Sequence, residues 1–232
     1  LISLGTIPAT EPMLLPNHIP YTQPYVGPDE MLQRAQQYYH QLNTRRTLRE
    51  FADTPVPKAV IEQLILTASS APSGAHKQPW TFCAVGSAEV KHKIREAAEE
   101  EERRNYAGRM SEEWLADLAQ FGTDANKPFL ETAPWLIIVF RKSYDITEEG
   151  KRNNYYVQES VGLACGFLLT AIHHAGLVAL THTPSPMNFL CEILQRPANE
   201  KPFLLIPVGY PATNAQVPDL KRKGLDEVAV FY

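Results

Sequence analysis

The chain has 232 residues, 44% of them hydrophobic and 21% charged, with a formal net charge of −4. That composition suits a globular chain with ample core, and its acidic balance gives nucleic acid no electrostatic attraction. Cys83, Cys165 and Cys191 are odd in number and widely spaced, and the seven histidines lack ligand spacing, so neither a disulfide framework nor a metal site is expected.

Residues 1–28 carry Pro8, Pro12, Pro16, Pro20, Pro24 and Pro28, a spacing that forbids a helix and predicts an extended arm. Leu1 to Leu4 lacks the basic start and long apolar core of a signal peptide. The longest apolar run, Val161 to Ile172, falls short of the roughly 20 residues that span a bilayer. A soluble, cytoplasmic chain is expected. Because it begins at Leu rather than Met, a membrane anchor upstream stays open.

The first helix is predicted from Asp29, as N-cap after Pro28, to Leu42, with Met31, Leu32, Ala35, Tyr38, Tyr39 and Leu42 as its apolar face. Arg45, Arg46 and Arg49 follow, interleaved with Leu48 and Phe51. Those two apolar anchors would dock the segment and leave guanidinium groups aimed at a fixed anion such as phosphate. Val60, Ile61, Leu64, Ile65 and Ala68 repeat at helical spacing between Val56 and Ser70.

The stretch Ala71-Pro72-Ser73-Gly74-Ala75-His76-Lys77-Gln78-Pro79-Trp80 then stops the helix before a strand near Thr81 to Val85. Its small side chains allow a flat ligand to approach the backbone.

A charged helix is predicted from Ala88 to Arg104, with Glu99, Glu100 and Glu101 on a solvated face. Glu102 and Tyr106, four apart, share one face. Residues 105–130 read as a weakly helical lid, interrupted by Gly122, Asn126 and Pro128. Trp135 to Phe140 is a continuous apolar strand buried on both faces.

Asn153 to Ala175 is predicted as a central helix buried all round, its Gly162 and Gly166 serving either a core crossing or a dimer interface. Leu177 to Leu180 and Phe203 to Tyr210 are strands, with Pro207 placed at an edge or bulge. Between them Thr181-His182-Thr183-Pro184 leads into a short helix from Met187 to Leu194. The tail holds Lys221-Arg222-Lys223 and a β-type end from Val228 to Tyr232. Alternating helices and strands predict one α+β or α/β domain around a mixed sheet, over residues 29–232. Dinucleotide and P-loop glycine fingerprints are absent.

The segment Arg45-Arg46-Thr47-Leu48-Arg49-Glu50-Phe51 resembles the flavin-phosphate motif of the FMN-dependent nitroreductase superfamily. Pro72 to Trp80, Thr181 to Pro184, Pro207 to Pro211 and Val217 to Lys223 resemble its iodotyrosine deiodinase branch, as do Glu102, Tyr106 and Lys127. Thr47 stands where Ser is more frequent, keeping the hydroxyl.

The resemblance implies an α+β nitroreductase-like fold, with a mixed sheet surrounded by helices, in an intertwined homodimer with a C-terminal extension and one FMN at each shared site. Arg45, Arg46, Thr47, Arg49 and Arg222 would hold the flavin phosphate. Pro72, Ser73, Gly74, Thr181 and His182 would border the flavin. Thr183 would donate toward flavin N5, a contact that favours one-electron steps over hydride transfer. Glu102, Tyr106 and Lys127 would hold the zwitterion of a halotyrosine, and the Ala75 N–H its phenolate oxygen.

The implied reaction is reductive dehalogenation of mono- and diiodotyrosine, with NADPH or a flavin- or ferredoxin-type reductase as electron donor. The branch's vertebrate members carry an N-terminal anchor, whereas this chain shows the proline-rich arm, as in a soluble bacterial-type or trimmed form. A general FMN nitro or quinone reductase, and a slow-turnover halotyrosine-binding flavoprotein, remain open beside it.

Overall fold

The computed structural model describes residues 18–232. Pro8, Pro12 and Pro16 of the expected arm lie outside the described residues, and residues 18–27 form neither helix nor strand. The chain divides into two compact units after His40. In chain order the helices are α1 (Pro28–Asn43), α2 (Lys58–Ser69), α3 (Ala88–Arg104), α4 (Glu112–Ala119), α5 (Phe129–Thr132), α6 (Val157–His174), α7 (Phe189–Ile193) and α8 (Leu225–Val228). The strands are β1 (Trp80–Val85), β2 (Trp135–Lys142), β3 (Tyr144–Thr147), β4 (Gly150–Asn153), β5 (Val178–Ala179) and β6 (Glu200–Gly209). No helix among the described residues is long and apolar enough to cross a membrane.

Helix α1 begins at Pro28, so Asp29 lies in its first turn rather than capping it. Its missing N–H costs nothing at that position. Met31, Leu32, Tyr38 and Tyr39 are exposed on it.

The second unit is built on a four-stranded sheet of order β1-β2-β6-β5, antiparallel at every pairing. The parallel element is a single bridge from Thr47 to Ala179. Strand β2 is inner and reads as predicted: Ile137 and Val139 pack toward α2 and α6, while Leu136, Ile138 and Phe140 pack toward α3 and α5. Alternate side chains of one strand therefore anchor two cores, which is why it carries no polar face. Ser87 accepts Val90 N–H at 3.4 Å and caps α3, fixing the start of the helix that carries Glu102.

Several expectations change. Pro207 sits in inner strand β6, opposite Leu136, rather than at an edge. Beside it β5 spans only two residues, and Leu180 N–H donates to the Pro207 carbonyl at 3.4 Å. The β-bulge occurs instead between Val139 and Phe140, where Phe140 faces Pro202.

Residues 144–153 form a hairpin, β3 with β4, ahead of a helix that starts at Val157 rather than Asn153. That helix is not buried all round. Val161, Ala164, Cys165, Leu168 and Ile172 face the core, whereas Gly162, Leu163, Gly166 and Phe167 are exposed. A β-carbon at Gly162 or Gly166 would meet nothing within 4 Å, so the small-residue step serves no core crossing among the described residues. The C-terminal end is the short helix α8 followed by irregular chain, not a strand.

Candidate functional site

Beyond α1 the chain runs extended, and Leu48 and Phe51 are buried as the docking anchors their spacing suggests. Leu48 N–H donates to the Ala179 carbonyl at 3.2 Å, and Phe51 bridges Pro211. The loop before α8 lies against this segment. Arg222 donates from Nη1 to the Asn43 carbonyl at 2.9 Å and from Nη2 to the Arg45 carbonyl at 2.8 Å, and the Arg46 guanidinium bonds the Pro218 carbonyl.

Arg45, Arg46, Thr47, Arg49, Phe121 and Arg222 border a cavity of about 300 Å³. Among the described residues none of these arginines has a carboxylate within 4 Å. Burial, and then the neighbouring Arg222 and Arg46 cations, push the Arg45 pKa below its ordinary value. Like charges held together without counter-charge make an anion site, and planar guanidinium groups suit a phosphate. Arg222 spends several of its donors on carbonyls, so it props the loop as well as facing the cavity.

A second cavity of about 190 Å³ shares Arg49 with the first, so the two adjoin. It is lined by Glu102 from the last turn of α3, by Tyr106 and Lys127 from the chain that follows, and by Thr181, His182 and Thr183 from the chain after β5. Lys127 Nζ lies 3.5 Å from Glu102 Oε2, with side-chain exposures of 4% and 8%. Lys127 Nζ also donates to Thr123 Oγ1 at 3.1 Å and to the Asp124 carbonyl, and it sits 5.7 Å from the centre of the Tyr106 ring. Tyr106 donates its hydroxyl proton to the Thr123 carbonyl at 3.0 Å.

Burial raises the Glu102 pKa and lowers that of Lys127, and in each case the partner's charge opposes the shift. The pair is a desolvated cation and anion side by side. No hydrogen bond from Thr183 Oγ1 is found among the described residues, so that hydroxyl is not consumed by its own turn.

Sequence reasoning missed part of this lining. Met110, Trp114 and Leu118 recur at four-residue spacing and face the second cavity, and Phe121 reaches the first, where the Arg49 guanidinium carbon lies 5.7 Å from its ring centre. The i, i+4 apolar stripe is the signal that could have found the first three. Glu99 departs from the solvated face expected for it. Its side chain is 14% exposed, and its carboxylate accepts Lys127 N–H at 2.7 Å. Glu101 departs as well, its side chain 16% exposed, whereas Glu100 keeps 46% exposure and pairs with Arg103 and Arg104.

The Pro72–Ala75 stretch is not brought to these cavities within one chain. After α2 a single 3₁₀ turn spans Gly74–His76, and Ala75, His76 and Gln78 have φ of 49°, 53° and 46°. Three left-handed non-glycine residues so close together are costly and persist because their surroundings hold them. Gln78 N–H donates to Ser73 Oγ at 2.9 Å, and Gly74 N–H to Ser160 Oγ at 3.3 Å. A β-carbon on Gly74 would lie 2.9 Å from Tyr156 Cδ2 and 3.0 Å from the Tyr155 carbonyl, so glycine is needed for packing on the start of α6.

The stretch enters β1, one margin of the sheet, whereas Thr47 bridges β5 at the other. Trp80 pairs with Arg141 and Arg141 with Lys201; Ala179 pairs with Val208. Lys201 and Val208 lie at opposite ends of β6, roughly 24 Å apart at about 3.4 Å per residue. Among the described residues no group of three His, Cys, Asp or Glu side chains could hold a metal.

The profile described as "Nitroreductase family" matches residues 42–210. A Haliscomenobacter hydrossis protein named iodotyrosine deiodinase is 63% identical over 218 residues, 94% of this chain and 98% of that protein. A Danio rerio protein of the same name is 48% identical over 216 residues, 92% of this chain and 73% of its own. The crystal structure of an oxidised iodotyrosine deiodinase bound to FMN and 3-iodo-L-tyrosine superposes with a TM-score of 0.71 at 28% identity, over 84% of this chain and 100% of that one.

His182 gives the site a pH signature. Burial, with the Lys127 and Arg49 charges adding to it, lowers its pKa from 6.5 to about 3. Its Nε2 is buried and meets no hydrogen-bond partner among the described residues. Below pH 6.5 the unfolded chain takes up a proton that native His182 refuses. Its contribution is therefore complete above pH 6.5 and is lost as pH falls toward 3, by about 1.4 kcal/mol per pH unit. Urea unfolding of the protein and of His182→Gln at about pH 7 and about pH 5 should show a smaller loss for the variant. Equal losses would remove His182 as a source of acid sensitivity.

Proposed function

The chain belongs to the nitroreductase family and has its fold, and from that premise we propose that it is an FMN-dependent reductive dehalogenase converting mono- and diiodotyrosine to tyrosine and iodide. The observation that carries this reading is the buried Glu102–Lys127 pair beside the arginine-lined cavity. A reductase tolerant of neutral nitro compounds or quinones has no use for two opposite charges kept out of water. An amino-acid zwitterion needs both, a carboxylate for its ammonium and an ammonium with a phenol for its carboxylate.

The residues of the first cavity fit FMN. Arg45, Arg46, Thr47, Arg49 and Arg222, which line it together, would hold its phosphate, the arginines having no carboxylate partner among the described residues. Thr183 Oγ1, which makes no hydrogen bond among the described residues, would donate toward flavin N5, with Thr181 and His182 beside it. Reduced FMN supplies the two electrons that, with one proton, replace the carbon–iodine bond by carbon–hydrogen and release iodide. NADPH or a flavin- or ferredoxin-type reductase serves as the donor.

Lys127 is already engaged with Thr123, Asp124 and Glu102 before substrate arrives. Binding therefore exchanges one set of contacts for another: the substrate carboxylate takes up Lys127 and Tyr106, and its ammonium takes up Glu102. Residues 105–130 act as the lid that moves with this exchange. Gly108 and Gly122, with φ of 148° and 56°, flank α4 and supply the turns on which it pivots. The lid's Met110, Trp114 and Leu118 then cover the iodinated ring and exclude water.

The site is shared between two copies of the chain. Pro72, Ser73 and Gly74 of one copy border the flavin of the other, and the Ala75 N–H meets the substrate's phenolate oxygen. The separation of Trp80 from Thr47 across the sheet favours this arrangement, as does the exposed Gly162, Leu163, Gly166 and Phe167 face of α6.

Anaerobic FMN-loaded protein reduced with dithionite should release iodide and tyrosine from 3-iodotyrosine in equal amounts. Binding without iodide release would refute the activity. Sharing of the site is tested by subunit exchange between Lys127→Ala and Ala75→Asp, whose side chain tolerates the left-handed backbone there and sets a carboxylate against the phenolate; each should be inactive alone. Random re-pairing should restore about a quarter of the sites, because one intact site forms in each mixed dimer. No recovery on mixing would place the whole site in one chain.

A further inference from the structure

Lys127 is gripped at both ends by carboxylates one turn apart on α3. Glu102 faces its ammonium at 3.5 Å, and Glu99 Oε1 accepts its main-chain N–H at 2.7 Å. Glu99 is itself fixed, since Arg95 Nε donates to the same oxygen at 2.7 Å. Arg95 Nη1 continues to Glu131 Oε2 at 3.0 Å, and His92 Nδ1 lies 2.6 Å from Glu131 Oε1. Lys127 stands where the lid segment ends and α5 begins, and its carbonyl accepts Leu130 N–H at 3.0 Å.

A lysine side chain is long and flexible, so where its ammonium can rest depends on where its main chain is held. Burial pushes the Glu99 carboxyl upward, and hydrogen bonds from Arg95 and Lys127 N–H more than offset it, leaving the pKa below the ordinary value. The acceptor is therefore a carboxylate at neutral pH.

We propose that Glu99, which lies outside the cavity, is a positioning residue for the amino-acid end of the substrate. It ties the Lys127 main chain to α3 and so sets where Lys127 Nζ and Glu102 meet a zwitterion. The inference rests on the halotyrosine reading of the cavity. It distinguishes two classes of ligand: a halotyrosine depends on Glu99, while a halophenol without ammonium and carboxylate does not.

The test measures dissociation constants of 3-iodotyrosine and 2-iodophenol on oxidised, FMN-loaded protein by quenching of flavin fluorescence. Glu99→Ala, which removes the acceptor, should weaken 3-iodotyrosine about tenfold and leave 2-iodophenol within about twofold. Glu99→Gln keeps a carbonyl oxygen in place and should restore most of the affinity. Glu99→Asp keeps the charge but is one methylene too short to reach the amide, and it should behave like Glu99→Ala; it carries the test if the alanine variant fails to fold. Equal weakening of both ligands, or unchanged 3-iodotyrosine binding in Glu99→Asp, would overturn the positioning role. Failure of the wild-type protein to bind 3-iodotyrosine would instead defeat the halotyrosine reading.

Discussion

The site depends on one desolvated ion pair, Lys127 with Glu102. Taking two charges out of water costs several kcal/mol per ion, and their mutual attraction returns that only where geometry and further hydrogen bonds are good. Here the separation is 3.5 Å, and burial moves both groups toward neutrality. Such a pair is a poor source of stability. On the proposed reading it is a well-prepared receptor, because the desolvation of the protein's own charges is complete before a ligand arrives.

Much of the local structure serves to keep that pair buried and aligned. Helix α3 supplies Glu102 from its last turn and Glu99 from the turn before. The segment that follows α3 returns to the same helix at Lys127, carrying α4 between two glycines with positive φ. His182 lines the same cavity as a neutral ring, edge-on to Phe129 with centroids 5.5 Å apart, and adds no third cation next to Arg49 and Lys127. The arginine cradle adjoins through Arg49. On the proposed reading, the cofactor phosphate and the substrate zwitterion are thus recognised from one continuous surface.

Local features were readable in the chain and distant ones were not. Helices α2 and α3 and strands β1, β2 and β6 follow from apolar periodicity and from punctuation by Pro and Gly. The docking of Leu48 and Phe51 follows from their interleaving with arginines. The hairpin from Tyr144 to Asn153 was invisible because the alternation of Tyr144-Asp145-Ile146-Thr147 spans only four residues and its partner Gly150-Lys151-Arg152-Asn153 is polar and wholly exposed. The tail from Val228 to Tyr232 looked like a strand from composition, yet among the described residues it joins no sheet. Glu99 sat inside an acidic run and acquired its role from Lys127, 28 positions away. The open face of α6 resembled a buried one, because an apolar pattern alone does not show which side of a helix its own chain covers. The distance of Pro72–Ala75 from the arginines within one chain is likewise a matter of topology that no local pattern carries.

The halotyrosine reading requires Glu102 to meet an ammonium group. Isothermal titration of FMN-loaded protein with 3-iodotyrosine and with N-acetyl-3-iodotyrosine, whose nitrogen carries no charge, tests it at that atom. The wild-type protein should prefer the free amino acid by at least about tenfold, and Glu102→Gln should bind the two alike. Equal binding by the wild-type protein, or an undiminished preference in Glu102→Gln, would contradict the account.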